Sequence, residues 1–150
     1  MKEHYLQLFK YDDWASAKLI AVLVENQIHN ETILQRLAHI VFARQIWLRR
    51  ILGGKTPNDF KNPTLNLCVA TFENDKKQWM NYLERTKDED FSKTLVYRNL
   101  KGDEFQDEIK NILTHVINHS TYHRGQITAI LKPLYDAVPS TDFIFFLREI

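Results

Sequence analysis

The sequence has little of what marks secreted, membrane-embedded or disulfide-stabilised proteins. Its 150 residues include a single cysteine, Cys68, which excludes an intrachain disulfide. No apolar run approaches the roughly 20 residues that a membrane-spanning helix needs. The first residues also lack the basic, apolar and small-residue zones of a signal peptide. We therefore expect a cytoplasmic protein with no membrane partner.

Neither sign of charge dominates. Lys and Arg total 20 against 19 Asp and Glu, and because they are spread along the chain they form no basic stripe that follows a phosphate backbone. We therefore predict no nucleic-acid partner. A hydrophobic share of 44% with 26% charged residues is typical of a globular protein that folds alone. At this length we expect one domain over residues 1–150.

Glycine and proline are scarce, with four of each, and they stand where helices would end, so the chain is predicted to be mostly helical. The apolar spacing predicts long helices at about residues 3–25, from Asn30 to Gly53, at 65–85 and at 106–132, with a loop at 57–63. Residues 94–97, followed by turn-prone residues at 99–103, predict a short β-hairpin before the fourth helix. The apolar tail Phe143–Leu147 is expected to cover the bundle or a second subunit.

Two histidines of the fourth predicted helix are spaced to share one ion. His119 and His123 are four residues apart, so their Cβ atoms stand roughly 6 Å apart on one side of the helix. Both imidazoles can then reach a point about 2.1 Å from each nitrogen. On the helical wheel His123 lies inside the apolar arc and His119 at its edge, whereas His115 lies outside it and is the weaker candidate. Spacing alone leaves open that the pair is only half-buried and hydrogen-bonded to neighbours.

A pair of imidazoles holds an ion weakly, so a third ligand must come from another helix. His39 is the natural candidate, but it lies nearly opposite the main apolar stripe of the second helix, in a second stripe with Phe42, Ala43 and Ile46. That second stripe is apolar enough to face another helix, and Ala43 leaves space beside the imidazole. Periodicity alone leaves open whether His39 points into the bundle.

Four strings of the sequence resemble the DinB family of bacterial damage-inducible proteins. They are Tyr11-Asp-Asp-Trp14-Ala15, Leu37-Ala-His39-Ile-Val, Asn118-His119-Ser-Thr-Tyr-His123-Arg-Gly-Gln126 and Pro139-Ser-Thr-Asp142-Phe-Ile. The resemblance covers nearly the whole chain. It implies a four-helix bundle of up-down-down-up topology, commonly a homodimer, in a stress-response protein. It also implies a divalent ion held by three histidines, which carried over position by position are His39, His119 and His123.

Three neutral imidazoles leave coordination positions open, which is the pattern of a catalytic site rather than a structural one. Without a thiolate ligand, Zn²⁺, Ni²⁺, Fe²⁺ and Mn²⁺ all suit the set. The resemblance further implies a low-molecular-weight thiol as cosubstrate, and we predict a metal-dependent thiol transferase or hydrolase acting on a small molecule, with no catalytic residue identified. The alternative is a non-catalytic metal-binding protein for stress sensing, ligand storage or partner docking. A metal position blocked by the tail from Phe143 to Phe146 would favour that alternative.

Charged residues also stand at core-facing positions. Asp13 lies in the apolar stripe of the first helix and Arg44 in that of the second, and a carboxylate that faces a core needs a partner. Our hypothesis is that Asp13 pairs with Arg44 or with a ligand histidine; the alternative is that either side chain extends outward to solvent.

Arg124 is interpreted as lying off the apolar arc, in a surface salt bridge or against an anionic substrate group. Cys68 is interpreted as a buried apolar residue rather than a nucleophile.

Overall fold

Four long helices, a hairpin and a short terminal helix make up the computed structural model, which describes residues 1–55 and 61–149. The elements in chain order are α1 (Lys2–Glu25), α2 (Glu31–Ile51), α3 (Leu65–Arg85), a 3₁₀ turn (Asp88–Ser92), β1 (Thr94–Arg98), β2 (Glu104–Glu108), α4 (Ile109–Leu131) and α5 (Phe143–Glu149). The predicted helical bundle with a short hairpin is confirmed. Of the predicted loop at 57–63, residues 57–60 lie outside the described residues.

Local sequence sets several helix ends. The Asn30 side chain accepts a hydrogen bond from the Ile33 amide at 3.1 Å, and Thr64 accepts one from the Leu67 amide at 3.2 Å. Each cap satisfies an amide that has no partner within its helix. After α2 the chain turns at Gly53, whose φ of 68° lies in the left-handed region that glycine tolerates best.

The hairpin corrects the predicted start of the fourth helix at about residue 106. Residues 106–108 belong to β2, where Gln106 pairs with Val96 and Glu108 with Thr94 in antiparallel register. The physical reason is cross-strand pairing: the Tyr97 hydroxyl donates to Asp107 at 2.8 Å, a contact between distant positions that helical periodicity does not register. α4 therefore begins at Ile109, after the strand.

Two clusters of buried apolar side chains fill the two ends of the bundle. Representative members are Leu23, Leu37, Phe72 and Leu131 in the first, and Phe9, Leu48, Trp79 and Leu113 in the second. α1 and α4 begin in the second cluster and end in the first, whereas α2 and α3 run from the first cluster to the second. Their directions are thus up, down, down and up, as the resemblance implies.

The terminal helix α5 packs against α1. Phe146 is buried, and its ring centroid lies 5.9 Å from that of Tyr11 and 5.7 Å from that of Trp14. Ile144 and Phe145, on the same short helix, stay exposed. The tail therefore covers one side of α1 with part of its apolar surface. No helix among the described residues combines the length and apolarity needed to cross a membrane.

Candidate metal centre

Three histidines from two helices meet at the surface of the bundle. α2 supplies His39 and α4 supplies His119 and His123, and their ring centroids lie 4.5 to 4.8 Å apart. The Nε2 atoms of His39 and His119 are 3.0 Å apart. The structure therefore brings together all three residues that the sequence singled out. It also answers what the helical wheel left open, because the exposed His39 ring lies beside the α4 pair.

The spacing of these nitrogens fits a single ion. Nitrogens that share a tetrahedral ion at about 2.1 Å lie about 3.4 Å from one another. One ligand atom from each histidine lies within 4.8 Å of the other two, so small rotations of the side chains reach that geometry. Within residues 1–55 and 61–149, this is the one group of three or more histidine, cysteine or carboxylate side chains with metal-binding spacing.

His115 stands beside the cluster but not in it. Its ring centroid is 5.6 Å from that of His119 and 5.4 Å from that of Trp47, whose ring it meets nearly edge-on. Helical geometry puts it two turns, about 12 Å of rise, from His123, too far for both to bind one ion. This placement agrees with its position outside the apolar arc.

A glutamine and an arginine fix the orientation of one imidazole. The Oε1 atom of Gln126 lies 2.8 Å from Nδ1 of His123 and also accepts a hydrogen bond from the Arg36 guanidinium. Because a guanidinium can only donate, it holds the amide oxygen, rather than the amide nitrogen, towards the histidine. His123 must then donate from Nδ1, which leaves Nε2 unprotonated as the ligand atom.

Burial keeps another imidazole in the form that binds metals. Burial, together with smaller contributions from the neighbouring imidazoles of His123 and His39, lowers the pKa of His119 to about 4. His119 is therefore neutral at physiological pH, and a metal ion does not have to displace a bound proton from the ring. The unprotonated ring nitrogen of His119 can therefore bind a metal ion directly.

Behind the histidines, a buried layer of charged residues crosses the bundle between the two apolar clusters. Asp12, fully buried, accepts hydrogen bonds from both Arg44 and Arg124, one at each carboxylate oxygen. Arg124 also donates to Ser16 at 3.2 Å and is 3% exposed. The interpretation of Arg124 as a surface residue was therefore wrong. It lies about 60° from Ile109 on the helical wheel, inside the apolar arc, which was the signal that could have placed it.

Arg44 gathers three carboxylates around one guanidinium. Besides Asp12, it donates to Asp13 at 2.8 Å and through Nε to Asp75 at 2.6 Å. The hypothesis that Asp13 pairs with Arg44 is confirmed. Burial raises the pKa of Asp13 to about 6, against the opposing attraction of Arg44. Sequence reasoning missed Asp12 and Asp75, although Asp12 continues the three-and-four spacing of the buried α1 positions Tyr5, Phe9, Ser16, Leu19 and Leu23.

Comparison with known proteins finds relatives over nearly the whole chain. The sequence model of the DinB family matches residues 1–149 of this chain. Protein DinB of Bacillus subtilis (strain 168) is 25% identical over 165 aligned positions, which cover 98% of this chain and 95% of that protein. Both matches run from α1 into α5 and include the three histidines.

Proposed function

Since this chain belongs to the DinB family, we propose that it is a divalent-metal-dependent enzyme whose ion is held by His39, His119 and His123. The observation that carries the proposal is the approach of the α2 histidine to the α4 pair, with 3.0 Å between two Nε2 atoms. The all-nitrogen donor set suits Zn²⁺, Ni²⁺, Fe²⁺ or Mn²⁺. When bound, such an ion supplies Lewis acidity, which lowers the pKa of a ligated water or thiol towards neutrality.

The surroundings of the histidines favour an accessible site over a closed one. His39 is exposed and lines a cavity of about 430 Å³. The α5 tail contacts Tyr11 and Trp14 of α1, whereas the histidines lie between α2 and α4. Three protein ligands with open space beside them leave room for a further ligand, as in catalytic zinc sites. This accessibility supports an enzyme rather than a protein that only holds a metal.

Neighbouring side chains and burial keep two of the ligand imidazoles in the form that binds a metal ion. Gln126 and Arg36 keep the His123 proton on Nδ1, and burial keeps His119 neutral. We propose that the reaction is transfer of a low-molecular-weight thiol, a chemistry that the family resemblance implies, or a metal-dependent hydrolysis of a small molecule. The side chains between α2 and α4 would then orient the thiol and exclude part of the solvent.

Cobalt spectroscopy tests both the ligand set and the open position. In Co²⁺-loaded protein, N-acetylcysteine should add a sulfur-to-cobalt charge-transfer band, whereas N-acetylserine, which carries a hydroxyl in place of the thiol, should not. The His119→Ala variant should lose the band, and His115→Ala should keep it. A wild-type spectrum that saturating N-acetylcysteine leaves unchanged would contradict the proposed thiol chemistry.

We further propose that the protein is a cytoplasmic homodimer. Ile144 and Phe145 of α5 are 50% and 38% exposed, and a second copy that covered them would remove apolar surface from water. Sedimentation equilibrium should find a dimer that Ile144→Glu with Phe145→Glu dissociates. A wild-type protein that is monomeric at every concentration would contradict this assembly.

A further inference from the structure

The second apolar stripe of α2 lines a groove. Two adjoining cavities of about 430 and 390 Å³ run along this helix, and both are lined by Ala43, Ile46 and Leu100. We call the combined feature the α2 groove. His39 lies in the lining at one end and Arg50 at the other. The two residues are eleven positions apart on the α-helix, so the groove is about 16 Å long.

The floor of the groove is apolar and the side chains there are small or half-buried. Ala38 precedes His39 in the helix, Phe42 and Ala43 follow it, and all three line the same cavity as His39. At the far wall Leu100, at the tip of the hairpin, is 74% exposed, so a large apolar side chain faces the groove without cover from the described residues. A ligand that lay here would remove this surface from water, which favours an apolar body.

The rim of the groove is positively charged. Lys61 stands beside the His39 end and Lys101 beside the hairpin end, and neither ammonium group forms an ion pair with residues 1–55 or 61–149. The acidic residue of the rim, Asp103, already accepts a hydrogen bond from the Asn99 side chain at 3.0 Å. Arg50 is held between the rings of Trp47 and Tyr97, with its guanidinium carbon 4.6 and 5.0 Å from their centroids. Lys61, Lys101 and Arg50 thus stand against the single carboxylate of Asp103, and the net charge of the rim is positive.

We propose that the α2 groove binds an amphipathic carboxylate, with the apolar body on the floor and the anionic group met by Lys61 and Lys101. An apolar floor selects the body, and the two lysines select the sign of the charge. That this ligand is the substrate class of the enzyme rests on the proposed function, because the groove begins at His39. That the groove binds such a molecule does not depend on any metal.

Binding of decanoate to the metal-free protein tests the proposal separately from the metal site. In a calorimetric titration with chelator present, decanoate should bind and the uncharged decan-1-ol should bind several-fold more weakly. Amide signals of residues 38–50 and 99–101 should shift in a parallel NMR titration. The double variant Lys61→Gln with Lys101→Gln should weaken decanoate binding about 5-fold, the size expected from two exposed charge contacts. The matched variant Lys10→Gln with Lys77→Gln, which changes two exposed lysines on α1 and α3, should leave the affinity unchanged.

A steric variant supplies a second test. Ala43→Trp should fill the groove and abolish binding, whereas Ala70→Trp, at an exposed position of α3, should not.

Equal affinities for decanoate and decan-1-ol, or NMR shifts of amide signals confined to α1 and α5, would overturn the proposal. A dimer that Ala43→Trp dissociates while decanoate affinity stays constant would also overturn it, because the groove would then hold a second copy of the chain. Decanoate binding by a protein that also fails to bind a divalent metal when one is supplied would support the groove and contradict the proposed function.

Discussion

Gln126 determines which nitrogen of His123 faces the metal centre. Its Oε1 lies 2.8 Å from Nδ1 of His123 and is held in that orientation by Arg36. The contact with Arg36 joins α4 to α2 beside the histidines, and the contact with His123 lies within α4. Orientation of a ligand imidazole through its other nitrogen is a general feature of metal sites, and here it depends on an amide that an arginine prevents from flipping.

Replacing Gln126 should weaken metal binding without unfolding the protein. Gln126→Leu removes the acceptor for the His123 proton, so zinc affinity should fall about 10- to 100-fold, the range found for such orienting groups. Gln126→Glu, which keeps an acceptor, should retain most of the affinity. Competition with a chromophoric chelator measures this, and Gln7→Leu on α1 is the control. ¹⁵N NMR of the metal-free protein should also show His123 protonated at Nδ1 in the wild type, and protonation at Nε2 there would contradict the account.

Arg44 should be a large contributor to stability. Arg44→Met leaves Asp12, Asp13 and Asp75 without their shared guanidinium, and breaking a buried ion pair on one side costs about 3–5 kcal/mol. Urea unfolding at pH 7 measures the change. Arg49→Met, at an exposed position of the same helix, should cost less than about 0.5 kcal/mol. Equal effects of the two substitutions would show that the buried layer does not stabilise the bundle.

Asp13 should give stability a pH dependence of defined sign. Its pKa of about 6 in the folded protein exceeds the ordinary value of 3.8, so between about pH 4 and 6 the folded state holds a proton that the unfolded state has released. The Asp13 contribution to the free energy of unfolding therefore falls as pH rises through this window. Relative to Asp13→Asn, the wild type should lose up to about 3 kcal/mol from pH 4 to pH 6.5. His119 acts in the opposite sense, but it is present in both proteins and cancels in the difference. A difference that stays constant over this range would contradict the prediction.

Cys68 should be unreactive in the native protein. It is fully buried at the start of α3, and burial raises the pKa of its thiol to about 11, whereas the reactive form is the thiolate. Labelling by iodoacetamide at pH 8 should therefore proceed only as fast as the protein unfolds, and urea should accelerate it strongly. Rapid stoichiometric labelling of the folded chain would show that the thiol is exposed.

Helical periodicity predicted the four long helices because each buries a stripe of apolar residues, and it gave the bounds of α3 at 65–85 directly. Periodicity failed at residues 106–108, because their sequence pattern suits either a helix or a strand and pairing with β1 makes them a strand.

The histidine triad was only partly predictable. His119 and His123 share one helix, whereas the placement of His39 depends on the crossing of α2 with α4, which no local pattern encodes.

The buried charged layer was the least predictable feature. The side chain of Arg124 is charged, so its burial is favourable only because the tertiary fold pairs it with Asp12, which lies more than a hundred positions earlier in the sequence. Asp75 meets Arg44 across the interface of α2 and α3 for the same reason. A sequence pattern shows that a charge faces the core, but its partner is known only from the tertiary fold.

Metal content of the histidine variants tests the central claim most directly. Protein purified without a metal-affinity tag should contain about one equivalent of a divalent metal by elemental analysis. His39→Ala, His119→Ala and His123→Ala should each lose it, because two imidazoles hold an ion weakly, whereas His115→Ala should retain it. Stoichiometric metal in all three triad variants would contradict the proposed centre.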